Sequence, residues 1–264
     1  MYDFTYHCAT SIEDAQSVFK SCEDPVYIAG GMTMLPTMKQ RLASPSDLVD
    51  LGKIEGLSGI ERVGNEIVIK ALTTHAEVAG SSEIATALPA LAALAGAIGD
   101  PHVRNRGTIG GSIANNDPAA DYPAALVGLG STVITTSKAI EADSFFTGMF
   151  ETALEPGELV TEVRFPVPQA AHYMKFPNPA SRYALVGVMV ARTERGVRVA
   201  VTGAGPCVFR MEEMEAALAA DFQVQAIEKV SLAADGLSDD LHAGPQYRSH
   251  LVGVMAARAV AACG

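Results

Sequence analysis

The feature of this sequence that most constrains its folding is a segment, residues 99–123, with little hydrophobic periodicity. The segment reads GDPHVRNRGTIGGSIANNDPAADYP, and few of its positions form a regular amphipathic face. It is neither repetitive nor highly charged. Long irregular segments inside compact domains usually carry function. We therefore expect this segment to form part of the functional site.

The composition is that of an ordinary globular protein and argues against two classes of partner. Of 264 residues, 48% are hydrophobic and 19% are charged, which allows one large or two modest domains. The net charge of −11 argues against a nucleic-acid backbone or an anionic membrane as partner. No apolar run of about 18 residues occurs, so we expect no transmembrane segment.

The cysteines and the start of the chain indicate a cytoplasmic protein. Cys8, Cys22, Cys207 and Cys263 are scattered and form no CxxC pair, so neither an iron–sulfur cluster nor a zinc site is expected. The histidines show no ligand spacing to one another, and we predict no metal site. Residues 1–5 lack the pattern of a signal peptide.

Two glycine loops are the candidate binding elements. The first, Ala29–Leu35, contains Gly30-Gly31 between a predicted strand and a helix that Thr33 could cap. The second is Thr108–Ser112. Glycine allows backbone N–H groups to approach a pyrophosphate closely, and a helix N-terminus favours an anion. Asn115, Asn116, Asp117 and Asp121 follow the second loop, and an aspartate can accept hydrogen bonds from a ribose.

Neither loop matches a better-known nucleotide motif. The sequence contains no GxxxxGK[ST] and no GxGxxG after the first strand, which argues against a P-loop and a nicotinamide-type Rossmann domain. Each Gly-Gly pair, taken alone, is better explained by a tight turn. The presence of two such loops favours a dinucleotide site.

Taken together, these motifs resemble a known family. The AGGMTML run at residues 29–35 and the RNRGTIGGS run at residues 104–112 are similar to the FAD-binding medium subunit of molybdenum hydroxylases, the carbon monoxide dehydrogenase and xanthine dehydrogenase family. The similarity extends over essentially the whole chain, to TGAGPCVFRMEEMEAAL and YRSHLVGVMAARAV.

The resemblance implies an α+β protein in two parts. Residues 1–168 would form an FAD-binding domain of the vanillyl-alcohol-oxidase (PCMH) type, with subdomains at about 1–52 and 53–168. Residues 169–264 would form a small α+β domain like the C-terminal domain of the carbon monoxide dehydrogenase flavoprotein. The PVP run at 166–168 marks the boundary. Capping boxes predict helices that start after Thr10 and Thr74.

The resemblance also assigns residues to the cofactor. Asp121 matches the acidic nucleotide contact, Ile98 and Val160 wall the flavin, Lys175 matches a basic residue near the ring, and Tyr183 an aromatic against it. Met32 departs from relatives that are often polar there. The predicted cofactor-binding set is Ile28, Ala29, Gly30, Gly31, Met32, Thr33, Met34, Leu35, Ile98, Val103, Thr108, Gly110, Gly111, Ser112, Asn115, Asp117, Asp121, Val160, Lys175 and Tyr183. No catalytic residue is predicted.

The implied function is electron transfer within a heterotrimer. Electrons from a molybdenum-cofactor large subunit would pass through a [2Fe-2S] small subunit to FAD in this chain, and then to an external acceptor. Two alternatives remain open, namely an assembly subunit that has lost the flavin and a self-sufficient flavin oxidase. The substrate and the acceptor are not encoded in any motif of this chain.

Overall fold

The computed structural model describes residues 1–263 and contains both helices and sheets, which confirms the α+β class. Three main sheets follow one another along the chain, and a separate two-stranded sheet is formed by residues that precede the last strand of the second main sheet. Within the described residues, no helix is long and apolar enough to cross a membrane.

The N-terminal unit is a three-stranded parallel sheet with one helix on each face. Val49 and Ala15 belong to the core beneath the first helix, whereas Leu48 and Met38 belong to the core beneath the second. The strand order is β1-β3-β2. The elements are β1 (Thr5–Cys8), α1 (Ile12–Ser21), β2 (Pro25–Ile28), α2 (Met34–Lys39) and β3 (Asp47–Asp50).

The predicted cap of the first helix was wrong by one residue. The N-cap is Ser11, whose hydroxyl accepts a hydrogen bond from the Asp14 N–H at 3.1 Å. The backbone N–H of Thr10, the residue expected to cap, instead donates to the Asp14 carboxylate at 3.0 Å. Because both positions carry a hydroxyl, the sequence alone could not separate them.

The middle unit is a five-stranded antiparallel sheet of order β4-β5-β10-β6-β7, with helices packed on it. Its elements are β4 (Ile60–Val63), β5 (Glu66–Lys70), α3 (His75–Gly80), α4 (Ser82–Ala87), α5 (Pro89–Gly96), α6 (Pro101–Arg104), α7 (Ile109–Asn115), α8 (Tyr122–Leu129), β6 (Thr132–Thr135), β7 (Ala139–Glu141), α9 (Ala142–Phe145), β8 (Phe146–Gly148), β9 (Glu151–Thr152) and β10 (Val160–Pro166). The capping box at Thr74 and Glu77 is present as predicted.

The segment 99–123 is more regular than predicted. It contains α6 and α7 and the first residues of α8. Every residue of α8 is buried, so its sequence has no polar face and shows no helical periodicity. Its core partners include Met189 and Ala200 of the C-terminal sheet. A Cβ at Gly128 would lie 2.5 Å from the Cγ of Met189, which shows how tightly this helix packs there.

The C-terminal unit is a four-stranded antiparallel sheet of order β11-β12-β13-β14, covered by helices. The sequence around Glu194-Arg195-Gly196 predicts a hairpin, and the strands Ala184–Thr193 and Gly196–Thr202 confirm it. A helix is also predicted near residues 212–220, and the helix Glu212–Ala220 confirms it. The first strand of this sheet was not predicted. The elements are β11 (Ala170–Pro177), β12 (Ala184–Thr193), β13 (Gly196–Thr202), β14 (Phe209–Arg210), α10 (Glu212–Ala220), α11 (Val224–Ile227) and α12 (Pro245–Ala262).

Candidate cofactor site

A cavity of about 510 Å³ lies where the two glycine loops meet. The first loop follows β2, the second begins α7, and the far wall comes from residues 181–183 before β12. Every predicted cofactor-binding residue except Leu35 and Lys175 lines this cavity. Residues 80 positions apart in the sequence, such as Gly30 and Gly110, therefore share one site.

The first loop presents a row of unpaired backbone N–H groups. Among the described residues, the N–H groups of Gly30, Gly31, Met32, Thr33 and Met34 have no protein acceptor, whereas the N–H of Leu35 donates to the Gly31 carbonyl at 3.1 Å. The Thr33 hydroxyl does not cap α2, contrary to the prediction. Consecutive free N–H groups lining a cavity form an anion-binding concavity, which suits a pyrophosphate.

Gly30 and Gly110 are required because other parts of the backbone pack directly against them. A Cβ at Gly30 would lie 1.9 Å from the carbonyl oxygen of Arg106. A Cβ at Gly110 would lie 2.7 Å from the carbonyl oxygen of Ala71. Glycine therefore lets the first loop touch the second, and lets the second touch the end of β5.

The second loop has fewer backbone donors available than expected. The N–H of Ile109 donates to the Thr73 carbonyl at 3.1 Å, and that of Gly110 to the Ala71 carbonyl at 2.8 Å. The N–H of Gly111 donates to the Thr108 hydroxyl at 3.1 Å. Because these N–H groups are already paired, the groups that this loop can offer a ligand are mainly hydroxyls, such as that of Ser112.

Asp121 is buried at the cavity wall and is already bonded on both oxygens. The Tyr173 hydroxyl donates to one oxygen at 2.6 Å, and Lys175 Nζ donates to the other at 3.0 Å. Burial raises the pKa of the Asp121 carboxyl, while the contacts with Lys175 and Tyr173 act in the opposite direction. Any ligand contact of Asp121 would use its remaining lone pairs.

Lys175 lies beside the cavity and connects three segments around it. Besides Asp121, its Nζ donates to the carbonyl oxygens of Ala97 and Arg182, both at 2.9 Å. Ala97 precedes Ile98, and Arg182 precedes Tyr183, so Lys175 positions two predicted flavin neighbours without lining the cavity itself. Arg182 has φ 62° and donates to the Gly99 carbonyl at 3.2 Å.

Leu35 also lies outside the cavity wall. Its side chain turns back over the loop, so that a Cβ at Gly31 would lie 2.9 Å from the Leu35 Cδ1. Leu35 packs against the small core of Ile28, Met38 and Leu48. The resemblance assigned Leu35 to the cofactor-binding set. In the structure its side chain packs in this core and does not line the cavity.

His75 lines the cavity but was not predicted as a site residue. It is buried, and burial lowers the pKa of its imidazole to about 4, with the charge of Arg104 acting in the same direction. Its ring packs against Tyr122 with centroids 5.3 Å apart, and Nδ1 has no hydrogen-bond partner among the described residues. The capping box located the residue, but no sequence signal indicated its burial.

Asn115 and Asp117 line the cavity, whereas Asn116 between them faces away from it. The Asn116 side-chain amide donates to the carbonyls of Gly148 at 2.8 Å and Glu151 at 2.7 Å, and thereby holds the β8–β9 hairpin. Other cavity residues that sequence reasoning missed are Val26, Tyr27, Leu51, Leu57, Ala71, Leu72, Gly99, Gly107, Ala114, Ala120, Leu154, Glu158, Leu159, Ser181 and Arg182.

Residues 2–168 match the family described as the FAD binding domain in molybdopterin dehydrogenase. The chain belongs to this family. Its members are oxidoreductase subunits with FAD as cofactor, as the resemblance implied. The match includes both glycine loops and the walls of the cavity up to Val160.

Full-length relatives support this membership. The chain is 36% identical over 273 residues to the nicotine 6-hydroxylase medium subunit of Paenarthrobacter nicotinovorans. The aligned region covers 98% of this chain and 96% of the relative. It is 34% identical over 274 residues to the carbon monoxide dehydrogenase medium chain of Afipia carboxidovorans, and this alignment covers 97% of this chain and 95% of the relative.

A solved structure of the family shows the same fold. The chain superposes with a TM-score of 0.92 and 33% identity on a chain of carbon monoxide dehydrogenase from Hydrogenophaga pseudoflava. The superposition covers 99% of this chain and 97% of the other. The predicted PCMH-type FAD-binding fold is therefore confirmed.

Proposed function

We propose that this chain is the FAD-binding electron-transfer subunit of a molybdenum hydroxylase complex, which passes electrons from the iron–sulfur clusters of a partner subunit through FAD to an external acceptor. Bound FAD would supply the ability to accept single electrons and to release a pair. The task of this chain is to bind and orient the cofactor. Electron transfer through FAD requires no acid–base residue in this chain.

The free N–H groups of residues 30–34 are the single observation that carries the cofactor assignment. Residues 30–34 all line the cavity, and their consecutive N–H groups have no acceptor among the described residues. A diphosphate needs several short donors at once, which such a row supplies without a basic side chain. We infer that this loop holds the pyrophosphate, assisted by the hydroxyls of Thr108 and Ser112.

The remaining predicted contacts stay part of this proposal. Ile98 and Val160 are apolar residues of the cavity wall, suited to pack against a flavin ring. Tyr183 is 45% exposed at the same wall, where an aromatic side chain could cover the ring. Lys175 would act through the segments that it joins.

The proposed complex contains a molybdenum-cofactor large subunit and a [2Fe-2S] small subunit. Support comes from relatives whose names describe them as medium chains or as subunits of dehydrogenase complexes. We also propose a cytoplasmic location, which is consistent with four free cysteines. The domain limits 1–168 and 169–264 likewise remain a prediction, supported by the change from one sheet to the next after β10.

The test is the visible absorption spectrum of the purified full chain, followed by acid release and chromatography of the cofactor. The proposal predicts flavin bands and the release of intact FAD. Reconstitution with the small subunit and reduced iron–sulfur clusters should then bleach these bands. A colourless chain that does not bind added FAD would favour the assembly subunit. Substrate turnover by the chain alone, without molybdenum or iron, would favour the self-sufficient oxidase.

A further inference from the structure

Three metal-ligating side chains meet on the N-terminal unit, away from the cavity. His7 Nε2 lies 2.7 Å from Asp47 Oδ1, and Cys22 Sγ lies 3.9 Å from the same His7 nitrogen. The three ligand atoms lie within 4.8 Å of one another. All three residues are partly buried, and the side chains of His7 and Asp47 are 30% and 14% exposed.

The fold explains why residues distant in sequence converge here. In the parallel pairing of β1 with β3, Asp47 lies opposite Thr5, which places His7 diagonal to Asp47 on the same face. That face is covered by α1, and Cys22 is the C-cap residue of α1. No local sequence spacing could reveal the cluster, because each ligand comes from a different element.

A hydrogen bond to its second oxygen orients the Asp47 carboxylate toward the other two ligands. The Ser46 hydroxyl donates to Asp47 Oδ2 at 2.6 Å, which leaves Oδ1 facing His7. The Ser46 hydroxyl in turn accepts from the Asp24 N–H at 2.9 Å. Outer hydrogen bonds of this kind hold metal-ligating carboxylates in position in metalloproteins.

We propose that His7, Cys22 and Asp47 form a binding site for a zinc-type divalent cation. A mixed nitrogen, sulfur and oxygen set favours Zn²⁺ over Mg²⁺ or Ca²⁺, which prefer all-oxygen sites. One thiolate and one carboxylate would balance the charge of the ion. Three protein ligands leave a fourth position for water.

The present distances are close to those of a bound ion. Tetrahedral zinc with ligand bonds of about 2.0–2.3 Å separates neighbouring ligand atoms by about 3.5 Å. The Cys22–His7 separation of 3.9 Å is near this value. His7 Nε2 and Asp47 Oδ1, now 2.7 Å apart, would have to separate by less than about 1 Å to reach it. Partly exposed side chains can make this movement without a change in the backbone.

The ion would join the end of α1 to β1 and β3. Because the ligands come from three elements, binding should stabilise the folded N-terminal unit, whose core is small. The site is separate from the cofactor cavity, and none of its ligands lines that cavity. Zinc binding and FAD binding can therefore be measured independently.

The test is equilibrium dialysis of the full-length, FAD-loaded chain against Zn²⁺ at concentrations comparable to that of the protein. We expect one tightly bound zinc per chain. His7→Ala and Cys22→Ser should each weaken binding by at least about tenfold, and Ser46→Ala by about tenfold. Cys8→Ser, a half-buried cysteine on the same strand as His7, is the matched control and should leave the affinity unchanged.

Substitution with Co²⁺ identifies the ligands directly. Wild type should show thiolate-to-cobalt charge transfer, whereas Cys22→His should still bind cobalt but lose this absorption. FAD content and circular dichroism verify that each variant is folded. No zinc binding by the wild type, or equal binding by wild type, His7→Ala and Cys22→Ser, would overturn the proposal.

Discussion

Gly30 packs directly against the carbonyl oxygen of Arg106, so that a Cβ on this glycine would lie 1.9 Å from that oxygen. The contact joins the two loops on which the proposed FAD site depends. We expect Gly30→Ala to separate the loops, because neither backbone can yield without moving its neighbours. The cost should be about 1–3 kcal/mol, or roughly a tenfold to hundredfold loss of FAD affinity. FAD content after dialysis measures it.

The control for this substitution is Gly253→Ala. Gly253 lies in α12, and a Cβ there would meet no atom within 4 Å. Because alanine is a better helix former, this variant should be as stable as wild type or more stable by up to about 1 kcal/mol. Equal FAD content in Gly30→Ala and Gly253→Ala would contradict the role given to the loop contact.

His75 should make stability depend on pH between 4 and 6.5. Burial lowers the pKa of its imidazole from 6.5 to about 4 in the folded state, so the unfolded chain binds the proton first as pH falls. The contribution of His75 to the free energy of unfolding is complete above pH 6.5. It is lost progressively toward pH 4, at about 1.4 kcal/mol per pH unit and about 3 kcal/mol in total.

Denaturant unfolding across this pH range tests the effect. The pH slope of the unfolding free energy should be smaller in His75→Gln than in wild type, by the amount given above. His102→Gln is the control for the replacement of a histidine by glutamine outside the core, because the His102 side chain is 96% exposed. An unaltered slope in His75→Gln would show that its imidazole does not titrate as proposed.

Lys175 and Asp121 should behave as a coupled buried pair. Their side chains are only 8% and 4% exposed, and 3.0 Å separates Lys175 Nζ from the carboxylate. Lys175→Met leaves the Asp121 charge buried without its partner, and we expect a loss of about 3–5 kcal/mol. It also removes the donor to the Ala97 and Arg182 carbonyls.

A double-mutant cycle separates these two effects. Asp121→Asn combined with Lys175→Met should cost clearly less than the sum of the two single variants, because no unpaired charge then remains. Chemical unfolding of all four proteins gives the coupling energy. Simple additivity would mean that Lys175 matters only through the two carbonyl groups.

Asn116 should tolerate glycine better than alanine. It has a left-handed backbone conformation with φ 44° and ψ 51°, and its side chain holds the β8–β9 hairpin. Both variants lose the two amide hydrogen bonds, but only alanine also adds backbone strain, of about 1–2 kcal/mol. Thermal unfolding, together with proteolysis at the exposed Met149 and Phe150, would detect the difference. Equal stability of the two variants would exclude a strained Asn116 backbone.

Much of the fold was predictable where local patterns carry the information. The β12–β13 hairpin, α10 and the capping box at Thr74 follow from alternation, spacing and capping chemistry that involve only neighbours in sequence. The helix α8 did not follow, because it is buried on all sides and so lacks the periodicity by which a helix is recognised. The edge strand β11 was not predicted for a related reason. Its residues are partly buried as far as Phe176, and only Pro177 is exposed, so buried and exposed positions do not alternate.

The candidate site was predicted through its motifs, but its internal hydrogen bonding was not. Resemblance brought together residues that line one cavity, although their spacing in sequence is large. It could not show that Gly110 and Ile109 use their N–H groups within the protein, or that His75 is buried beside them. These properties depend on which backbone groups meet in three dimensions, and one sequence does not encode that locally.

The burial of α8 has a consequence for fragments of this protein. The helix precedes the PVP run at 166–168 in the sequence. Met189 and Ala200, which follow that run, nevertheless belong to the same hydrophobic core as the helix. A fragment ending at residue 168 would expose this apolar helix to water and would tend to self-associate. The two regions should therefore unfold in a single cooperative transition, so the boundary that is useful for classifying the sequence is a poor place to cut the molecule.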